Sequence, residues 1–592
     1  MALTADGPAE IALLPLPRLG FQGVRLTADD RSGPVLAEGG RLSIQLNPLA
    51  LLSGRAEVAA LALDGARLSL PSGEGDARWA GPMRRLSQGV AAEEADHPRR
   101  ITLSRATVTG RDPRDGTSQT AREVDLTVSW PLWWDALDCA GSLVWNGATA
   151  RFSVSGLHPR DLAQGRPSPF AASASWPAGS LSAEGSGSLG PDPALSGRAA
   201  LTTRSLGETL AWIGGDLALS PLIEDIAADG RFELGADGLR LPSVRVSVGG
   251  TVLEGAGSAS LVAHRAAVQA TLASDDLNLS PLLGHLLRLT GLDGAGEGEE
   301  VGGASDAAWS RRPIALGPLA GGDLDLRISA GRARLGPMVM EDLASSVLVR
   351  EGGIEATLNR TGLQGGTLKG RLALAVGPDP AETEIKAQGA FDGIDLGGLL
   401  IDLGQSRWVF GTGQGSVSLE GRGTDVSGLV RRVAGRVGLV IDGGSIAGLD
   451  LADVIQRGRL APGPLARRNG RTPFERASLS VLFGDGVGEI GEGTLNARAL
   501  TASLRGRISL PERRFLARAE VLPRVAAVGE GTPRPAPLFE IAGPWDAVAV
   551  KAKGVEKSSE TGHGEPGGTA EPLPVPATAV PGLPERARAY AP

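Results

Sequence analysis

The sequence predicts a mostly β protein, built on one long antiparallel-rich sheet that carries short helices. Three observations support this prediction. Glycine is abundant, with 86 residues among 592, while apolar content stays ordinary at 42%, a combination that suits many short strands joined by turns. Apolar and polar residues alternate with a period of two in segment after segment. Turn signals separate these segments at intervals of about 8–12 residues, the spacing of an all-β meander.

The alternating segments predict strands with one apolar and one polar face. Such strands are typical of an antiparallel sheet, because a parallel sheet covered by helices has apolar residues on both faces. The clearest apolar positions are Leu42, Ile44, Leu46, Val244, Val246, Val248, Leu324, Leu326, Ile328, Leu368, Leu372 and Leu374.

Short helices are predicted between strands. Ser205 and Glu208 form a capping box that opens "LGETLAWI", and Gly214 ends this helix. Ser280 before Pro281 is predicted to cap a second helix, "PLLGHLLRL". Similar short helical segments follow strands in "FDGIDLGGLLIDL" and "TDVSGLVRRV". The spacing of these units is too irregular for a propeller or a standard solenoid.

Composition shifts predict the domain organisation. A long surface loop at 71–100 separates the first β module from the middle region, and an acidic glycine-rich loop at 291–312 separates the middle from the last region. A proline-rich tail is predicted to be disordered. The resulting segments are 1–70, 71–100, 101–290, 291–312, 313–551 and 552–592.

Composition also argues against several partners and cofactors. The formal net charge of −8 comes without long single-sign blocks, which argues against nucleic acid. The five histidines lie far apart and show no metal-ligand spacing, and the single cysteine, Cys139, cannot form an internal disulfide. No stretch approaches the ~20 apolar residues that a membrane span requires. We therefore predict no metal and no cofactor.

The glycine-rich stretch "LEGRGTDVSGLVRRVAGRVGLVIDGGSIAGLDLADVI" at 419–455 looks at first like a nucleotide site. It has no Gly-Lys-Ser/Thr ending, and Val426 stands where a dinucleotide fingerprint needs its third glycine. We predict instead that Gly421 and Gly423 end a strand, Thr424 or Asp425 caps a short helix, and Gly443–Gly444 turn a hairpin. No Gly-x-Ser-x-Gly elbow with a histidine partner is present either, so we predict no nucleotide and no enzyme.

A sheet with one apolar face must bury that face against something. The predicted helices are too few and too short to cover it, so a curling sheet would leave an apolar groove suited to acyl chains. The alternative is a sheet that closes completely and stays dry. The predicted groove residues are Val244, Val246, Val248, Leu324, Leu326, Ile328, Leu372, Leu374, Val481 and Phe483.

Four tryptophans, Trp130, Trp133, Trp134 and Trp145, cluster in "SWPLWWDALDCAGSLVWNG". They would suit a lipid-facing or partner-facing platform. We favour the simpler interpretation that they fill the core of a chain otherwise poor in aromatic residues.

The stretch "GRGTDVSGLVRRVAGRVGLVIDGGSIAGLDL" resembles the C-terminal region of the AsmA family of bacterial envelope proteins. "TPFERASLSVLFGDGVG" at 472–488, "LNARALTASLRGRISL" at 495–510 and "PLFEIAGPWDAVAVKAKG" at 537–554 are similar to the end of that family's pattern. "LPLPRLGFQGVRLTADD" and "PLALLSGRAEVAALALDGARLSL" resemble its first module. The likeness covers most of 11–554 and rests on the order of many low-complexity motifs.

The resemblance implies an elongated, twisted β structure with an apolar groove, of the bridge-like lipid-transfer type. It implies a periplasm-facing protein of the inner membrane, with possible contact to outer-membrane components, that carries phospholipid without enzymatic chemistry. Family members carry one amino-terminal membrane helix, which this sequence does not show. The alternative function is a scaffold or assembly factor for outer-membrane proteins that binds protein at exposed strand edges.

Overall fold

The structure is a computed structural model. It describes residues 2–27, 35–70, 98–111, 116–130, 136–189, 193–215, 217, 219–262, 265–292, 309–316, 322–350, 353–448, 450–451, 470–524, 538–545 and 549–553. Met1–Lys553 form one compact unit. Most of the predicted loops at 71–100 and 291–312, and almost all of the predicted tail at 552–592, lie outside the described residues.

Most of the described chain is strand, as the alternating pattern predicted. The strands are β1 Ala2–Ala5, β2 Glu10–Ala12, β3 Arg18–Gln22, β4 Val24–Thr27, β5 Val35–Glu38, β6 Arg41–Leu46, β7 Val58–Asp64, β8 Arg67–Ser69, β9 Arg100–Arg111, β10 Ser118–Ser129, β11 Leu137–Trp145, β12 Ala148–Leu157, β13 Ser168–Trp176, β14 Gly179–Ser188, β15 Ala194–Thr203 and β16 Ile226–Gly235. They continue as β17 Gly238–Val248, β18 Thr251–Val262, β19 Arg265–Asn278, β20 Asp323–Leu335, β21 Met338–Arg350, β22 Gly353–Leu363, β23 Gly366–Val376, β24 Thr383–Asp395, β25 Val409–Gly423, β26 Ala434–Ala447, β27 Arg471–Gly484, β28 Val487–Asn496, β29 Leu500–Ser509, β30 Arg514–Pro523, β31 Leu538–Pro544 and β32 Ala549–Lys553.

Helices are short and sit between strands. They are α1 Pro48–Leu52, α2 Pro159–Ala163, α3 Leu206–Ile213, α4 Ser280–Thr290, α5 Leu396–Asp402 and α6 Val426–Arg431, with one 3-10 turn at Ser220–Leu222.

All strands belong to one sheet whose spatial order follows the chain order. From β9 onward each strand pairs with the next, and every pairing is antiparallel except β19 with β20. The first eight strands form four bent strands of two consecutive segments each: β1 with β2, β3 with β4, β5 with β6, and β7 with β8. Both segments of the last one, β7 and β8, run parallel to β9. These pairings confirm the predicted antiparallel-rich sheet, and they continue without a break across the predicted segment boundaries.

The predicted helix caps are confirmed at two sites. The Ser205 side chain accepts a hydrogen bond from the amide of Glu208, and Gly214 ends α3 in the left-handed conformation at φ +79°. Asp425 caps α6 by accepting a hydrogen bond of 2.7 Å from the amide of Gly428. A carboxylate therefore satisfies an amide at the start of α6, directly after Gly421 and Gly423 at the end of β25.

Two local predictions are wrong. Ser280 does not cap α4: it is the first residue of the helix, and its hydroxyl accepts a hydrogen bond from the amide of Gly336. Gly443–Gly444 do not turn a hairpin, because Gly444 pairs with Gly411 on one side and Phe474 on the other inside β26. Gly443, at φ +63°, is a kink within the strand.

The C-terminal part of the sheet is strongly curved. Val409 on β25 and Phe539 on β31 line the same cavity of about 390 Å³. These strands lie six steps apart, a distance of about 29 Å in a flat sheet. The sheet therefore curls around the cavity, which confirms the predicted groove geometry for this part of the chain.

Candidate functional site

One face of the sheet is apolar from its first strands to its last. Residues directly opposite each other on paired strands share a face, so the register of the pairs traces this face across the sheet. One row crosses from β2 to β20 and contains only apolar residues and glycine. Its members are Ile11, Leu19, Ile44, Leu61, Ile101, Val128, Cys139, Val154, Ala172, Ala183, Ala199, Gly230, Val244, Gly255, Leu272 and Ile328.

A second row continues the same face from β20 to β31. It starts at Leu326, two residues before Ile328 on the same strand, and again contains only apolar residues and glycine. Its members are Leu326, Val347, Ala356, Leu372, Ala387, Leu419, Gly435, Phe483, Gly488, Ile508, Phe515 and Gly543. We call the surface defined by these two rows the apolar face.

The opposite face is polar and charged. A row one residue out of step with the second one reads Arg327, Ser346, Thr357, Arg371, Gln388, Ser418 and Arg436. Ion pairs connect neighbouring strands on this side, among them Arg371 to Glu355 at 2.6 Å. Arg422 and Lys386 both bind Glu384, and their hydrogen bonds lower the pKa of that carboxyl. The sheet is thus amphipathic from β20 to β26.

The structure places all ten predicted groove residues on the apolar face. Leu324 and Leu326 pack in one cluster, and Ile328 belongs to the neighbouring one. Val481 and Phe483 pack together in a third cluster further along the sheet. Leu372 lies opposite Ala356 and Ala387, and Leu374 is buried opposite Ile354 of the first cluster. Val244, Val246 and Val248 lie on β17, where Val246 faces Leu253. Their role in ligand binding stays a prediction.

Parts of the apolar face are open to solvent. Ile101, Leu181 and Leu372 lie on β9, β14 and β23, and each is about 40% exposed. Leu181 is on the apolar face because it pairs with Ala174 and Leu201, next to Ala183 of the first row. A packed core would cover such side chains. The face therefore behaves as a trough with open stretches rather than as a closed interior.

The C-terminal cavity is the part of the trough between α5 and strands β25 to β31. Its walls are almost entirely carbon. Helix α5 contributes Leu396, Leu399 and Leu400, and Leu403 and Trp408 stand at its rim, where both are more than half exposed. The sheet contributes Leu439, Ile441, Ile446, Phe474, Leu479, Leu495, Ala502, Leu504, Ala519, Val521, Phe539 and Ile541. Such a space can hold a hydrocarbon chain and offers nothing to a charged group.

Glycines in β25 allow α5 and Phe391 to approach the sheet. A Cβ on Gly413 would lie 2.9 Å from three side-chain atoms of Leu396, and one on Gly415 would lie 2.6 Å from the Phe391 ring. Asp395 fixes the start of α5 by accepting hydrogen bonds of 3.1 Å from the amides of Gly397 and Gly398. The sequence predicts this helix but not its cavity. The sequence signal for the cavity is the spacing of the glycines in "FGTGQGSVSLEG", because these glycines lie opposite large apolar residues.

A strap of residues 309–316 crosses the strand ends at the α6 side of the trough. Its backbone bonds to α6 where the Ser310 carbonyl accepts from the amide of Ser427, at 3.0 Å. The indole of Trp309 donates to the Leu510 carbonyl at 2.8 Å and meets the Trp545 ring edge-on. The Arg513 guanidinium lies 4.1 Å from the Trp309 ring centroid. The sequence does not predict this element, because its partners in α6 and after β29 lie more than 100 residues away along the chain.

The remaining candidates from the sequence are the tryptophan cluster, Cys139 and a metal site. Trp145 packs beside Ala106, Ala121 and Val124, so the core-filling interpretation holds for this residue. Trp133 and Trp134 lie outside the described residues. Cys139 lies on the apolar face, and burial raises the pKa of its thiol. Among the described residues, no three His, Cys, Asp or Glu side chains are grouped to hold a metal ion.

Among the helices in the described part of the chain, none has the length and apolar character needed to cross a membrane.

Comparison with known proteins gives one match. No curated protein and no solved structure matches the chain. The model of the AsmA family matches residues 302–491. The match runs from just before the strap into β28, and it agrees with the resemblance to this family that the sequence motifs indicate.

Proposed function

We propose that this protein is a non-enzymatic envelope protein that carries phospholipid along the apolar face, between the inner and outer membranes. The observation that carries the proposal is the unbroken series of apolar residues and glycine across nearly every strand of the sheet. Acyl chains on such a surface exchange water for hydrocarbon at every strand, which is favourable by about 25 cal/mol per Å² buried.

The AsmA family match supports an envelope and lipid-related role, and the family is generally not enzymatic. The C-terminal cavity supports an acyl chain as the ligand, because its lining offers hardly any polar atoms. A headgroup would therefore stay at the rim, in water, while the chains lie in the trough. Contact with the inner membrane and with outer-membrane components belongs to this proposal.

The first experiment is native mass spectrometry and lipid extraction after gentle purification of the full chain. We expect phospholipid to co-purify. Leu372→Asp places a charge on an exposed part of the apolar face and should slow phospholipid transfer between vesicles by roughly tenfold or more, since even partial desolvation of a carboxylate beside a chain costs at least about 2 kcal/mol.

A matched control is available on the polar face. Leu482 is 58% exposed and lies between Val481 and Phe483, pointing to the opposite side of the sheet. Leu482→Asp should fold, bind lipid and transfer it as the parent does. Absence of lipid from the parent protein, or an equal loss of transfer in both variants, would contradict the proposal.

A protein-binding scaffold is the second candidate. It is favoured by the open strand edges, since β2 and β32 each pair on one side only among the described strands. A scaffold of this kind should still bind its partner protein in the Leu372→Asp variant. It should lose that binding when edge residues of β2 or β32 are replaced by proline. The two functions are therefore separated by the same set of variants.

A further inference from the structure

Two neighbouring turns at one end of the N-terminal strands expose an unusual number of leucines. The loop between β2 and β3 carries Leu13, Leu14 and Leu16, and α1 carries Leu49, Leu51 and Leu52. Leu14 and Leu52 are 85% and 86% exposed. We call these six leucines the apolar tip. Soluble surfaces rarely group so many exposed large aliphatic residues without a partner.

The pairing of the strands places the two turns side by side. Strand β3 lies between β2 and β6, so the β2–β3 loop and the segment after β6 emerge at the same sheet end. The Leu46 amide donates to the Pro17 carbonyl at 2.9 Å and joins them directly. The tip is therefore one surface built on two connections.

The tip is held rigidly in its exposed position. Asn47 caps α1 by accepting a hydrogen bond from the Leu49 amide, and the Ser53 hydroxyl donates to the Ala50 carbonyl at 2.7 Å. Ala50 and Pro17 are buried, while the leucines around them are exposed. The exposed leucines project from anchored backbone.

The charges around the tip complement an anionic surface. Arg18 and Arg55 are exposed, and neither forms an ion pair with a described residue. Two acidic residues of the neighbouring strands are already paired: Glu10, at the start of β2, binds Arg41 at 2.6 Å, and Glu57, just before β7, lies 3.5 Å from Arg99. Two cations are thus left beside an apolar projection, a pattern that suits lipid phosphates above an acyl layer.

We infer that the apolar tip docks the protein on an anionic phospholipid bilayer, inserting its leucines between headgroups while Arg18 and Arg55 contact phosphates. A protein partner fits less well, because binding hot spots in protein interfaces favour Trp, Tyr and Arg pockets over projecting leucines. The tip is also continuous with the apolar face, whose first row begins at Ile11 just before Leu13. The inference rests on the proposed function for its purpose, since it names the membrane contact at one end of the trough.

The test is flotation of the full chain with vesicles of phosphatidylcholine, with and without phosphatidylglycerol. We expect binding to the anionic vesicles. The double variant Leu14→Glu/Leu52→Glu should reduce binding at least about tenfold, because two buried leucines are lost and two charges are added. Arg18→Gln/Arg55→Gln should keep weak binding and lose most of the preference for phosphatidylglycerol.

The matched control is Leu482→Glu/Leu516→Glu, which alters two leucines of the polar face that are 58% and 53% exposed. It should bind vesicles as the parent does. Failure of the parent to float with any vesicle, or equal loss in the control, would overturn the inference. It would also be overturned if the tip variant changed only the oligomeric state, measured by light scattering, because the tip would then bind a second copy.

Lipid co-purification, measured on the same samples, separates this inference from the proposed function. The tip variant should retain its bound lipid, because the altered residues lie outside the trough. A parent protein that floats but carries no lipid would contradict the carrier and leave membrane docking standing. A protein that carries lipid but does not float would contradict membrane docking and leave the carrier function standing.

Discussion

At the scale of single residues, glycine decides how closely elements pack on the apolar face. Gly415 faces Leu439 across the β25–β26 pair, and its missing side chain leaves room for the Phe391 ring. Gly491 on β28 is different, because a Cβ there would meet no heavy atom within 4 Å. The same residue type thus has a packing role at one position and none at the other.

We expect Gly415→Ala to destabilise the C-terminal part of the sheet by about 1–3 kcal/mol, the usual cost of forcing an extra carbon into a filled space. Gly491→Ala should be neutral or stabilise by up to about 1 kcal/mol, through the lower entropy of the unfolded chain. Urea unfolding followed by tryptophan fluorescence measures both. Equal effects of the two substitutions would refute the packing argument.

Cys139 lies on the apolar face, so the reactivity of its thiol measures how accessible that face is. The thiol lies between Val128 and Val154, and burial raises its pKa. Since the thiolate is the reactive form, alkylation by N-ethylmaleimide should be slower than for an exposed cysteine at neutral pH. The rate should rise as the pH increases toward the raised pKa.

A second cysteine position provides the comparison. Ser180 is exposed on the polar face, opposite Ser175 and Thr202. The variant Cys139→Ser/Ser180→Cys should react faster than the parent, and added phospholipid should slow the parent alone. A lipid effect of the same size at both positions would indicate that the reagent, not the trough, is affected.

At the scale of elements, the strap and α6 determine how the trough ends. The Trp309 indole bonds to the turn after β29, while the next residue bonds to α6. Trp309→Ala should therefore loosen both contacts, at a cost of about 2–3 kcal/mol for a partly buried tryptophan. Hydrogen exchange should accelerate at the amides of Ser427 and Leu510.

Trp309→Phe is the control for this element. It keeps a ring against Trp545 and Arg513 but removes the donor to the Leu510 carbonyl. We expect an effect of about 1 kcal/mol, the value of one hydrogen bond, with exchange changed mainly near Leu510. No change in exchange for Trp309→Ala would mean that the strap does not hold the strand ends.

At the scale of the whole molecule, much of the fold was predictable because alternation encodes which face each residue takes. The alternation in "VRVSV" and "LDLRI" placed Val244, Val246, Leu324 and Leu326 on one face, and the strand register agrees. The local glycine signals were less reliable. Gly443–Gly444 had the composition of a turn, but pairing with Gly411 and Phe474 kept the strand intact.

The C-terminal cavity and the apolar tip could not be predicted in the same way. The cavity needs the curvature that brings β25 and β31 together, and curvature depends on the accumulated twist of many strands. The tip needs the register that sets two turns beside each other, which no local pattern contains. Tertiary geometry, rather than residue type, creates both surfaces.

The continuity of the apolar face leads to a prediction about movement along it. If chains travel along the rows, every lipid must pass each strand in turn, so one charge anywhere on the path obstructs the whole route. Leu181→Asp on β14 and Leu372→Asp on β23 are far apart in the sheet and both exposed on the apolar face. Each alone should slow phospholipid transfer between donor and acceptor vesicles by at least about tenfold, for a barrier of ~2 kcal/mol.

The amount of bound lipid distinguishes a protein that conducts lipid along the rows, a path, from one that only holds lipid, a store. Leu181→Asp should leave the C-terminal cavity filled, so co-purified lipid should fall by much less than transfer does. In a store without a path, transfer would fall only in proportion to the lipid bound, and Leu181→Asp would change the two quantities equally. Leu516→Asp, on the polar face opposite Arg507, should change neither. Comparing transfer with bound lipid in these variants therefore tests whether the rows act as one continuous path.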